Sequence, residues 1–123
     1  MKNILFKLSL LICLCSYGQT TSSAINNLVK QSNMAKGMDA GGGMILIEGL
    51  SENNTAFVYV FNTSTEETLK QYKKTVSRQF FINQSPTQFS KVAKNNNIIA
   101  KWRYLYNYKK SFEVTIYPNE WND

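Results

Sequence analysis

The chain has 123 residues, enough for one domain with a single hydrophobic core. It carries 14 basic and 8 acidic residues, a net charge of +6, no histidine and only two cysteines. The missing histidine excludes Ser-His-Asp and Cys-His catalysis, imidazole acid–base chemistry and the common Cys/His metal centres.

The first eighteen residues read as a cleavable leader. Lys2 and Lys7 mark a positive start, and the stretch from Ile4 to Cys15 is almost wholly apolar. A membrane-spanning helix needs about 20 such residues, so this run has the length of a signal-peptide core instead. Ser16-Tyr17-Gly18 places small residues at the −3 and −1 positions of a cut after Gly18, leaving Gln19 first. A lipid-modified cysteine needs a small residue before it, whereas Cys13 follows Ile12 and Cys15 follows Leu14. The segment resembles the general-secretion signal peptides of bacteria, which implies export to the periplasm or the exterior. The mature chain would then have no transmembrane anchor. It would also lose both cysteines, and so any disulfide or thiol nucleophile, and keep 12 basic residues against 8 acidic ones.

Residues 19–23 are polar and read as a flexible lead-in to a single domain over residues 24–123. From Ala24, Ile25, Leu28, Val29 and Ala35 share one helical face, with Ser22 or Ser23 as cap and Gly37 as terminator. Asp39-Ala40-Gly41-Gly42-Gly43 forms a loop. Met44 to Ile47 is a short apolar strand, and Thr55 to Phe61 a second, with Phe57, Tyr59 and Phe61 on one face and Ala56, Val58 and Val60 on the other. Two apolar faces make that strand central.

Thr63 and Ser64 each precede a glutamate by three residues, the pattern of a capping box, and Leu69, Tyr72, Val76 and Phe80 then define one long helical face. A further helix begins at Ser85-Pro86-Thr87-Gln88, with Ser85 as cap, and ends at Asn95-Asn96-Asn97. Ile98 to Tyr108 alternates with period two, placing Trp102, Tyr104, Tyr106 and Tyr108 opposite Lys101, Arg103 and Leu105. Ser111 to Tyr117 alternates again until Pro118 stops it. The order α-β-β-α-α-β-β predicts an α+β domain: a four-stranded, mostly antiparallel sheet with about three helices packed on one face.

Asp39, Gly41, Gly42 and Gly43 suggest an anion-binding turn, but no Gly-Lys-Ser/Thr follows and a strand comes next, so a phosphate loop fails on context. These residues remain a candidate flexible contact loop. Lys101, Arg103, Tyr106, Tyr108, Lys109 and Lys110 form a basic-aromatic strand and turn, the candidate partner-binding surface. The tyrosines of that strand lie opposite Lys101 and Arg103, so the two types share no surface except near the turn; this argues for core packing and, together with export, for no nucleic acid among the partners. Glu48 and Glu113 are the first carboxylates to test as a hydrolytic pair. No catalytic, cofactor-binding or metal-binding set stands out. The sequence therefore points to an exported, non-catalytic binding module for another protein or an envelope component. The alternatives are a small-ligand protein with a pocket between helices and sheet, and a carboxylate hydrolase. N-terminal sequencing of the exported protein is expected to find Gln19 or its cyclised form, and an intact Met1 would refute cleavage.

Overall fold

The computed structural model describes residues 20–122, so the expected leader and its cleavage site lie outside the described residues. Four helices and four strands follow in the expected alternation. They are α1 (Thr21–Asn33), β1 (Ile45–Glu52), β2 (Ala56–Thr63), α2 (Glu66–Thr75), α3 (Arg78–Gln84), α4 (Thr87–Asn95), β3 (Ile99–Tyr106) and β4 (Lys109–Ile116), closed by a 3-10 turn, Pro118–Glu120.

The sheet order is β1-β2-β3-β4. Both hairpins are antiparallel, but the central pair, β2 and β3, is parallel. The sheet is therefore mixed. Residues 64–98, which hold three helices, return the chain to the end of the sheet where β2 began, and a parallel neighbour needs a connection of this kind. The helices cover the face carrying Phe57, Tyr59 and Phe61, and their buried residues join these rings, Trp102 and Tyr104 in one core. Trp102 stacks on Phe81 at 4.0 Å, and Tyr104 stacks between Phe61 and Phe112 at 5.2 and 4.7 Å.

The helix count is four where about three were expected, because the long face from Leu69 to Phe80 is broken. Val76 adopts an extended conformation, and Ser77 starts α3 by accepting the Phe80 N–H on its side chain. Serine competes with helical bonding and favours such caps, which outweighs the apolar periodicity across the break. The expected capping boxes do not form. Thr63 Oγ1 instead accepts the Thr65 N–H in a local turn, Ser85 ends α3, and Pro86 occupies the cap of α4 without a side-chain bond.

The lead-in is shorter than expected, since α1 already includes Thr21 to Ser23; Thr20 caps it by accepting the Ser23 N–H. The triple asparagine ends α4 as expected. Asn97 takes a left-handed conformation at φ 56°, and the Ile98 N–H reaches back to the Ala93 carbonyl at 2.8 Å, a Schellman-type stop.

Helix α1 is locked onto β1 at Gly49. The Asn33 side chain accepts the Gly49 N–H at 3.0 Å and donates to the Gly49 carbonyl at 3.2 Å. A Cβ on Gly49 would stand 1.8 Å from Ser32 Oγ, so the close approach requires glycine. Gly49→Ala is expected to destabilise the domain by about 1–3 kcal/mol, the usual range for overpacking, with the loss read as a lower midpoint in urea denaturation.

Candidate functional site

The candidate residues fall into three separate places. The first is the glycine loop, which is tightly built rather than loose. Asp39 Oδ1 accepts the Gly41 and Gly43 N–H groups at 2.7 and 3.2 Å. Thr68 Oγ1 donates to the Gly42 carbonyl at 2.6 Å, and Tyr72 Oη to the Gly41 carbonyl at 2.7 Å. Gly41, Gly42 and Gly43 all have positive φ, as such a turn requires. The loop thus supplies its own anion: the donors that would greet a phosphate or carboxylate already hold Asp39.

The second place is the sheet face away from the helices, where Lys101 and Arg103 lie. These two do not join the tyrosines in one surface. Lys101 Nζ and Arg103 Nη2 each contact the Glu52 carboxylate at 2.6 Å, and Arg103 Nε contacts Glu113 at 2.6 Å. Glu52 is on β1 and both cations are on β3, so each bond crosses over β2. Ala56, Val58 and Val60, whose side chains share this face, are 2%, 0% and 4% exposed. Long basic side chains suit this position, since their aliphatic stems can lie over apolar surface while their charged ends meet Glu52. Hydrogen bonds from Arg103, then Lys101, hold the Glu52 carboxyl down to about 2, well below its ordinary value of 4.5.

Glu48 and Glu113 share a row across the sheet, Glu48–Val60–Arg103–Glu113, but stand on opposite edges. Three strand spacings separate them, roughly 14 Å. That exceeds the reach of a glycosidase-type pair, and Arg103 already occupies Glu113. The expected pocket between helices and sheet is also filled, because Leu69, Tyr72, Val76 and Phe89 are all buried there. A cavity of about 520 Å³ lies elsewhere, between α3, α4 and the Trp121-Asn122 segment, with Ser85, Thr87, Ser90 and Lys91 on its wall. Among the described residues, no three of His, Cys, Asp or Glu cluster as metal ligands, and no helix is long and apolar enough to cross a membrane.

The third place is the β3–β4 hairpin tip. Trp102 and Tyr104 are core residues, Tyr106 is half-buried, and Tyr108 is 75% exposed. Tyr106 pairs with Lys109, leaving Asn107-Tyr108 as a two-residue turn with φ of 48° and 65°. Positive φ at both positions defines a type I′ turn, which strongly favours glycine second. Tyrosine stands there instead. The end of β2 holds it: buried Asn62 accepts the Tyr108 N–H at 2.7 Å, and the Thr63 carbonyl accepts the Asn107 N–H at 3.0 Å. Lys109 and Lys110 are exposed beside Tyr108. The sequence marks Tyr108, Lys109 and Lys110 as candidates, whereas the contacts made by Asn62 and Glu52 depend on strand order and are not readable from local pattern.

Glu52→Gln tests the bridge over β2. Because folding lowers the Glu52 pKa, its contribution is complete above about pH 4.5 and is lost as pH falls through about 2. The variant is expected to be about 1–2 kcal/mol less stable at pH 7, a figure reduced for solvent screening, with the gap closing toward pH 2 in denaturant titrations. Compared with known protein families, curated proteins and solved structures, the chain finds no match in any of the three.

Proposed function

We propose that the chain is an exported, non-catalytic binding module that recognises another protein or an envelope component through the β3–β4 hairpin tip. The observation that carries this reading is Tyr108, three-quarters exposed and held at φ 65°. A non-glycine residue in the left-handed region gives up about 1–2 kcal/mol, and such strain persists where surrounding structure enforces it, often at binding sites. Here the enforcing contacts come from Asn62 and Thr63. An ordered tyrosine offers a large contact surface at little entropic cost, and two lysines beside it favour an acidic partner. The leader composition supports export.

Tyr108→Gly separates recognition from folding. The variant is expected to be about 1 kcal/mol more stable in urea, since glycine adopts this turn without strain, while partner binding falls at least tenfold. A photo-crosslinking phenylalanine analogue at position 108 should give a defined adduct in native cells. The same probe at Tyr117, which is 52% exposed, should not. Absence of a position-specific adduct at 108 would refute the reading.

The cavity beside α4 favours a second reading, a small-ligand protein, with Ser85, Thr87, Ser90 and Lys91 suited to a polar, anionic ligand.

A further inference from the structure

The two edges of the sheet differ in a way that bears on how the tip engages its partner. The β1 edge is closed. The Leu46 N–H donates to the Met38 carbonyl at 2.9 Å, the Gly37 N–H donates to the Leu46 carbonyl at 2.8 Å, and the Asn33 amide takes both backbone groups of Gly49.

The β4 edge has no such cover among the described residues. The N–H groups of Ile99 and Asn107 donate to Thr55 and Thr63, at the two ends of β2. Odd-numbered β3 residues therefore bond β2, and even-numbered ones bond β4. Their partners on β4 are Phe112, Val114 and Ile116. By alternation, Glu113 and Thr115 turn their N–H and C=O groups outward, and no described residue bonds them. An eight-residue strand with an open edge is a template for strand addition.

We propose that the outward edge of β4 accepts an acidic, extended peptide segment of the partner as a fifth strand, next to the Tyr108 tip. This rests on the reading of that tip as the recognition site. Charge selects the occupant. Lys109 and Lys110 are exposed at the start of the strand; Glu113, the acid on β4, is held by Arg103 at 2.6 Å and also lies 3.7 Å from Lys110, which leaves Lys109 as the cation with no acid against it among these. A second copy of the chain would bring more lysines and an acid already engaged, whereas an added strand with acids on one face sets them beside the lysine on that face, since Lys109 and Lys110 point to opposite faces.

The test uses the full exported protein and two nine-residue peptides that alternate Glu with Val. One is unmodified; the other is N-methylated at every residue, keeping the charge and losing every backbone donor. The unmodified peptide should bind at least tenfold more tightly and slow amide exchange at Glu113 and Thr115. Thr115→Pro removes one outward N–H at an edge position that tolerates proline, and should lose that tenfold with an unchanged thermal midpoint. If Thr115→Pro unfolds the domain, the comparison of the two peptides on wild-type protein still decides.

Equal binding of both peptides without exchange protection overturns strand addition, as does binding of neither. If Tyr108→Ala weakens the unmodified peptide while Thr115→Pro does not, the edge proposal fails and the tip reading stands. If the edge is protected by peptide but position 108 yields no cellular adduct, the tip reading fails. Protection of Glu113 and Thr115 by self-association, with no peptide present, would replace the acidic segment with a second copy and overturn the proposal.

Discussion

Strand β2 is buried along all eight residues, so both of its faces need cover. The helices cover one face through an aromatic core, with Phe57, Tyr59 and Phe61 packed against Phe89, Trp102 and Tyr104. No described helix covers the other. There, Lys101 and Arg103 on β3 pair with Glu52 on β1, so the ion pairs span β2 above its small apolar side chains. This arrangement depends on the parallel register of β2 and β3, since a shift of one residue would send Lys101 and Arg103 to the helix side and Trp102 to the open side. The position of β2 also sets the tip, because Asn62 and Thr63 at its end grip the β3–β4 turn.

Much of this was legible in the chain. The two-faced apolar pattern of residues 56–61 predicted a central strand, and the alternation after Ile98 predicted that Trp102 and Tyr104 face the core. Local signals failed where two of them competed. The face from Leu69 to Phe80 is periodic throughout, yet Ser77 carries a stronger starting signal than the periodicity carries continuity. The role of Asp39 was hidden for another reason: three glycines advertise an anion site but cannot reveal that the anion is two residues upstream.

The bridge over β2 and the anchoring of Tyr108 were not legible, because both join residues more than forty positions apart. Their detection needs strand order, which local pattern does not encode. Likewise Glu48 and Glu113 look equally available in sequence, and only their placement on opposite edges separates them. The basic-aromatic set from Lys101 to Lys110 divides for the same reason: Lys101 and Arg103 belong to a structural bridge, while Tyr108, Lys109 and Lys110 stand at an exposed tip.

The parallel joint between β2 and β3 has a kinetic consequence. Each hairpin pairs residues close in sequence, whereas joining them requires closing the chain over residues 64–98. The two halves can therefore form local structure well before the domain closes. Until that joint forms, neither Glu52 nor Asn62 has its partners, and the turn at Asn107-Tyr108 lacks its anchor. For a chain proposed to cross a membrane through the general secretory route, late closure of this joint would keep the polypeptide threadable in transit and leave the exposed Asn107-Tyr108 turn unanchored until afterwards.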